Sequence, residues 1–263
     1  LMPNDREIDA PTNFAGLWPD SDDEQEDFTN KAETQTITVA DIPLKVRQYC
    51  YHSHNANRVW PGTFNLAEYY ISASQPGELS DLTATGTTVL ELGSATGVLA
   101  MRFTIAGVVN LATSDFDDTV DGEESIENNI RHNYEANALG PSPRHIPHTW
   151  GETWDVSKTG KFTIVLASDI LLVREAKRSE AKSTSIYYKL TRPRRQYVST
   201  YPQLVKTLKM LFEEGGTKKF VMSWDRRMDE SRDFFDRMEA EGFDCLKEPK
   251  CIFVFTKRKR KRL

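Results

Sequence analysis

The chain has 263 residues, and 38% of them are hydrophobic, which is enough to build a substantial core. No stretch approaches the roughly 18 to 20 apolar residues of a membrane-spanning helix, so no membrane association is expected. The net charge of −5 is unevenly distributed, with an acidic cluster near the start and a basic run near the end.

The two charged segments and the cysteines bear on the cellular location of the protein. Residues 1–33 are acidic and polar, which predicts a flexible segment without the features of a signal peptide. Residues 257–263 begin with six consecutive basic residues. A solvated tail is the plainer interpretation, and a nuclear-import or RNA-contact patch is the alternative. Three cysteines without metal-like spacing favour a reduced, cytoplasmic protein that binds no metal, with the nucleus as a second location.

Ordered structure is predicted from residue 34 onward. Alternating side chains over 35–39 and 44–49 predict a β-hairpin, and an apolar stripe over 60–72 predicts a helix. Short apolar runs then alternate with helical patterns. Predicted strands cover 88–92, 108–114, 144–148, 162–168, 219–224, 243–247 and 251–256, and predicted helices cover 97–106, 125–137, 202–212 and 231–242. This α/β alternation implies a mostly parallel sheet with helices on both faces, closed by an antiparallel hairpin.

A basic segment, residues 174–196, interrupts the alternation between the fourth strand and its helix. Ligands of such sheets bind outside the carboxyl ends of the strands. We therefore expect this insertion to overhang the active site.

The first strand of the parallel sheet runs into a glycine-containing loop that ends at Gly97. Gly93 and Gly97 let the backbone turn tightly and approach a ligand, and the next helix offers free N–H groups at its start. The G-x-x-x-G spacing differs from dinucleotide-binding loops and P-loops. Glu91, before the first glycine, would repel a phosphate but suit a cationic amino-acid group. A plain tight turn is the alternative interpretation.

Acidic residues follow the second strand. Asp115 lies 18 residues after Gly97, close to where an acidic residue grips a ribose diol. Asp117 and Asp118 are the next choices, and a capping or loop cluster is the alternative. The following helix carries an unusual group of asparagines, for which a solvated face is the plainer interpretation: Asn128, Asn129, Asn133 and Asn137.

Two further strand ends carry polar or aromatic residues. Trp150 follows the third strand and could pack against an adenine ring or belong to the core. Ser168 and Asp169 close the fourth strand. Asp169 could attract an amine, or it could cap the segment that follows.

These motifs resemble those of the seven-β-strand S-adenosylmethionine-dependent methyltransferases, in the branch of lysine methyltransferases and nicotinamide-N-methyltransferase-like proteins. The resemblance covers residues 35–256 and rests on E-L-G-S-A-T-G, on R-V-W-P-G-T-F-N-L-A-E-Y-Y at 58–70, on T-S-D-F-D-D, on the W-G pair, and on A-S-D-I-L-L at 167–172. Ala95 replaces the middle glycine of the loop. Leu172 stands where the branch usually has an aromatic residue. The N-P-P-Y-type motif of enzymes that act on glutamine, adenine or cytosine is absent after Asp169, which argues against nucleobase N-methylation, and nucleic acid is not an expected partner.

The resemblance implies a Rossmann-like, mostly parallel seven-stranded sheet in a domain of residues 34–256. It implies S-adenosylmethionine as methyl donor, S-adenosylhomocysteine as product, and Asp169 beside the acceptor amine as the catalytic residue. The implied cofactor-binding residues are Trp60, Glu91, Gly93, Ser94, Gly97, Asp115, Phe116, Trp150 and Ser168. We expect a monomer that methylates an accessible lysine of a protein substrate. The alternatives are a small-molecule N-methyltransferase of nicotinamide type and a catalytically silent cofactor-binding protein.

Overall fold

A computed structural model describes residues 31–52, 55–72, 77–116, 124–171, 173–175, 197–225 and 231–258. Most of the acidic segment 1–33, most of the insertion 174–196 and most of the basic tail therefore lie outside the described residues, as do Asp117, Asp118 and Leu172. None of the helices in the described ranges combines the length and the apolar character that a membrane span requires.

The elements follow the predicted alternation. The strands are β1 (Ala32–Val39), β2 (Ile42–Tyr49), β3 (Val89–Leu92), β4 (Leu111–Asp115), β5 (Arg144–Pro147), β6 (Ile164–Ser168), β7 (Val173–Glu175), β8 (Tyr197–Ser199), β9 (Lys219–Ser223), β10 (Phe243–Glu248) and β11 (Ile252–Lys257). The helices are α1 (Pro61–Ile71), α2 (Leu79–Thr83), α3 (Val98–Ile105), α4 (Ile126–Ala136), α5 (Val156–Thr159), α6 (Tyr201–Glu213) and α7 (Ser231–Ala240).

The main sheet has seven strands in the order β10-β11-β9-β6-β3-β4-β5. Strand β11 is antiparallel to both of its neighbours, and the other pairs are parallel. The predicted mostly parallel seven-stranded sheet is confirmed. The chain winds outward from β3 through β4 to β5, and then returns to place β6 on the other side of β3. Because ligands of such sheets bind where the strand order reverses, the carboxyl ends of β3 and β6 are the expected site.

Helices cover both faces of the sheet, as predicted. Every residue of β3 and β6 is buried, as is usual for central strands of a parallel sheet. Successive residues of β3 point to opposite faces, so Val89 joins one core cluster and Leu90 the other. The first cluster includes side chains of α1, α3 and α4, and the second includes side chains of α6 and α7.

The N-terminal hairpin is also confirmed, and it packs on α3. Its turn consists of Ala40 and Asp41, both with positive φ (42° and 66°), as in the two-residue turns that match the twist of a hairpin. The guanidinium of Arg102 on α3 donates hydrogen bonds to the carbonyls of Val39 and Ala40. The hairpin is therefore attached to the helix that follows the glycine loop.

Two features differ from the sequence interpretation. Strands β7 and β8 pair antiparallel, so the insertion leaves and rejoins the domain through a short two-stranded ladder. The expectation of a solvated asparagine face on α4 is wrong, since Asn129 is 3% exposed and Asn133 fully buried. Both amides lie against β2, which the helical pattern alone does not reveal.

Candidate active site

The glycine loop connects β3 to α3 and is held by the end of β4. The backbone N–H groups of Gly93 and Ser94 donate to the carbonyl of Ser114 at 2.8 and 3.2 Å, and the Ser94 hydroxyl donates to it at 3.3 Å. The N–H of Gly97 donates to the carbonyl of Ser94 at 2.7 Å. These bonds close the loop into a compact turn at the switch point of the sheet.

The two glycines are required by the protein's own packing. Gly93 has φ +70°, and a Cβ there would lie 2.7 Å from the side chain of Ile170. Gly97 has φ +74°, and a Cβ there would lie 2.9 Å from Ile130 of α4. Ala95, which replaces the middle glycine, also adopts a left-handed backbone with φ +45°. Close approach of a ligand is therefore not needed to explain either glycine, and the case for a ligand rests on the polar groups nearby.

A buried carboxylate lies directly before the loop. Glu91 is 3% exposed, and its Oε2 atom has no hydrogen-bond partner among the described residues. Burial raises the pKa of Glu91 well above its ordinary value, the charge of Asp115 raises it further, and a backbone hydrogen bond from Ala100 lowers it. Ionisation of a buried carboxyl group with one unpaired oxygen is costly, and a nearby cationic group would lower that cost.

Asp115 ends β4 and holds the loop with its carboxylate. Its Oδ2 accepts a hydrogen bond from the N–H of Ala95, and its Oδ1 accepts one from the N–H of Phe116, both at 2.8 Å. Burial raises the pKa of Asp115, whereas these two bonds and the charge of His52 lower it. His52 is buried and was not predicted from the sequence, because no motif marks it.

The segment after β5 lies beside Asp115. The N–H of His148 donates to the carbonyl of Asp115 at 2.8 Å, and the N–H of Gly151 donates to the hydroxyl of Thr207 on α6 at 2.9 Å. Trp150 is partly buried against the core cluster on the α6 face. The structure thus places Trp150 after β5, at the same edge of the sheet as the glycine loop.

Ser168 and Asp169 hold the first turn of α1. Oδ2 of Asp169 accepts a hydrogen bond from the N–H of Gly62 at 2.6 Å, and the hydroxyls of Ser168 and Thr63 share one at 3.1 Å. Asp169 is 5% exposed and has φ +53°. The carboxylate of Asp169 therefore binds the start of the preceding helix α1. Gly62 and Thr63 carried no signal of this role in the sequence.

Trp60 is the N-cap residue of α1 and lies just before this contact. Its indole N–H donates to the carbonyl of Asn55 at 2.9 Å, and the guanidinium of Arg58 lies 4.7 Å from the centre of its ring. The contact between Gly62 and Asp169 therefore places Trp60 close to the end of β6.

The strand order, the loop after β3 and the acidic residue that ends β4 define the Rossmann-like class of S-adenosylmethionine-dependent methyltransferases. A family described as lysine methyltransferase matches residues 38–180, more than half of the chain, and the chain belongs to this family. S-adenosylmethionine is the methyl donor of these enzymes. No curated protein matches the chain in sequence.

The chain is similar to several solved structures at low sequence identity. A SAM-dependent methyltransferase from Agrobacterium tumefaciens is 14% identical, with 94% of this chain and 76% of that chain covered and a TM-score of 0.50. The T. thermophilus 16S rRNA N2 G1207 methyltransferase, solved with AdoMet and guanosine, is 13% identical over 87% of this chain, with a TM-score of 0.49. The present chain spans about half the length of that enzyme (51%). The ribosomal protein L11 methylase from Lactobacillus delbrueckii subsp. bulgaricus is 13% identical over 69% of this chain and 75% of its own, with a TM-score of 0.42.

Proposed function

We propose that this chain transfers a methyl group from S-adenosylmethionine to a lysine amine of a protein substrate. The observation that carries the proposal is the match to the lysine methyltransferase family over residues 38–180. The three cysteines form no disulfide, which agrees with a reducing compartment, and we propose the cytoplasm or the nucleus as the place of action.

The polar groups at the loop suit this cofactor. S-adenosylmethionine carries a sulfonium and an ammonium, and Oε2 of the buried Glu91 carboxylate has no hydrogen-bond partner among the described residues. Asp115 lies beside it at the end of β4, where we propose that it accepts hydrogen bonds from the ribose hydroxyls. A cation bound near both carboxylates would offset their mutual repulsion and their desolvation. A neutral or anionic ligand would leave the repulsion and the desolvation of these two carboxylates uncompensated.

The remaining cofactor contacts are proposed from position. Gly93, Ser94 and Gly97 would present backbone to the amino-acid end of the cofactor, with Ser168 at the neighbouring strand end. Aromatic side chains would enclose the adenine and flank the cofactor: Trp60, Phe116 and Trp150. The bound cofactor supplies an activated methyl group on its sulfonium.

We propose that the lysine amine, which accepts the methyl group, binds at the end of β6. Methyl transfer from a sulfonium needs an aligned, deprotonated amine, so the protein contributes mainly by positioning and by excluding water. We propose that Asp169 attracts and orients the lysine amine while it also anchors α1 through Gly62. Acidic groups at this edge of the sheet would favour a basic substrate segment.

Labelling with tritiated S-adenosylmethionine in a cell lysate tests the substrate class. A discrete labelled band that protease removes and ribonuclease does not would support a protein substrate, and methyl-lysine in its hydrolysate would identify the residue. Label only in small molecules would favour the nicotinamide-type alternative, and label in RNA would also contradict the proposal. Calorimetry with S-adenosylhomocysteine is the companion measurement, because the absence of binding would contradict cofactor use by this chain.

A further inference from the structure

Three asparagines of α4 form a row along one side of the helix. Asn129, Asn133 and Asn137 are spaced four residues apart, which places them on the same face. This face lies against the outer edge of β2, whose other edge is paired with β1. Among side chains only Asn and Gln offer both an amide donor and an acceptor, so the row can satisfy N–H and C=O groups of a strand edge.

The row binds two alternate residues of β2. The N–H and the carbonyl of Lys45 both bond to the amide of Asn137, at 2.8 and 2.7 Å. The N–H of Arg47 donates to Oδ1 of Asn133 at 2.7 Å, and its carbonyl accepts from Nδ2 of Asn129 at 3.4 Å. The Arg47 side chain donates to Oδ1 of Asn129 at 2.9 Å. The asparagines thus take the place of a third strand and fix the hairpin to α4.

Asn133 makes an additional contact that concerns the glycine loop. Its Nδ2 donates to the carbonyl of Thr96 at 3.0 Å. Thr96 is 2% exposed and precedes Gly97, so the bond orients the peptide at which the loop enters α3. On its other side the same loop is held by the bond from Ala95 to Asp115. One fully buried amide therefore connects β2 and the loop.

We infer that Asn133 is a positioning residue for the cofactor loop, whereas Asn137 attaches the hairpin and bonds to the carbonyl of Asn133 and to Met101 on α3, but not to the loop. The inference rests on the proposed function, because the loop is assigned there to S-adenosylmethionine. Asn133 does not line the acceptor end of β6, so its loss should weaken cofactor affinity and leave the methyl-transfer step little changed. Loss of a residue that only stabilised the fold would not weaken cofactor affinity while it left the methyl-transfer step unchanged.

The test compares Asn133→Asp with Asn137→Asp. Aspartate keeps the acceptor for the β2 N–H groups but cannot donate, so Asn133→Asp breaks the bond to Thr96, and Asn137→Asp breaks the bond to the carbonyl of Lys45. Because Asn133 is fully buried, Asn133→Ala and Asn137→Ala form a second, uncharged pair. For each variant, calorimetry gives the Kd of S-adenosylhomocysteine, and kinetics give KM for S-adenosylmethionine and kcat.

We expect both Asn133 variants to raise Kd and KM roughly tenfold or more, with kcat within about twofold, since a buried carbonyl loses its donor. The Asn137 variants should lower the melting temperature and leave Kd within about twofold. Equal changes of Kd in the two series, or no change with Asn133→Ala, would overturn the inference. Hydrogen exchange at the Ala95 and Gly97 amides in the ligand-free protein should accelerate in the Asn133 variants alone. This readout tests the inference even if the wild-type chain binds no S-adenosylhomocysteine, which would count against the proposed function instead.

Discussion

Replacement of Asp169 separates its structural role from its proposed catalytic one. Asp169→Ala leaves the buried N–H of Gly62 without its acceptor, which costs about 1–3 kcal/mol. It also replaces aspartate, which tolerates a left-handed backbone, by alanine at φ +53°, which adds up to about 1 kcal/mol. We expect a loss of stability of about 1–4 kcal/mol, or a melting temperature lower by about 2–16 °C for a domain of this size. Asp169→Asn keeps a side-chain oxygen for Gly62 and tolerates the backbone, so it should lose no more than about 1 kcal/mol.

Turnover distinguishes the two roles. If the carboxylate orients the amine, Asp169→Asn should lower methyl transfer at least roughly tenfold while its affinity for S-adenosylhomocysteine stays within about twofold. Thermal unfolding, calorimetry and tritium transfer to the labelled lysate protein give the three quantities. Asp155→Ala is the control, because it removes a capping carboxylate from the short helix α5. Full turnover in Asp169→Asn would limit Asp169 to anchoring α1, and an unchanged melting temperature in Asp169→Ala would refute the structural reasoning.

Three further predictions concern the loop. The raised pKa of Glu91 keeps its carboxyl group protonated to higher pH, whereas a bound cation favours the ionised form, so the wild-type protein should release a proton on binding S-adenosylmethionine and bind it more tightly as the pH rises. Glu91→Gln should abolish this proton release, which calorimetry in buffers of different ionisation enthalpy measures. Asp115→Ala should weaken S-adenosylhomocysteine binding by about 1–3 kcal/mol, and an unchanged Kd would assign the ribose contact to another residue. Gly97→Ala should destabilise the protein by about 2–4 kcal/mol in urea unfolding, because strain at φ +74° adds to the contact with Ile130. Gly107→Ala, where φ is +91° and a Cβ meets nothing within 4 Å, should lose only about 1–2 kcal/mol, and equal losses at the two glycines would contradict the steric argument.

The order of elements could be predicted from the sequence because it depends on local patterns. Strands of a parallel sheet are short apolar runs, amphipathic helices repeat every 3.6 residues, and the loop after β3 contains its own glycines. The short elements α2, α5, β7 and β8 were missed, since so few residues give no periodic signal. The sequence also predicted which residues lie at the strand ends, because parallel strands bring their carboxyl ends to one edge of the sheet: Gly93, Asp115, Trp150 and Asp169.

The sequence by itself determined the fold class, the edge of the sheet at which we propose the site, and the acidic residue beside the loop. Only the tertiary structure decided what these residues contact. Asp169 binds Gly62, a residue 107 positions earlier in the chain, and Asn133 joins β2 to the loop across 86 and 37 positions. The two glycines of the predicted ligand loop also make room for Ile170 and Ile130. Partners of this kind come together only when the sheet has assembled, and no spacing along the chain encodes them.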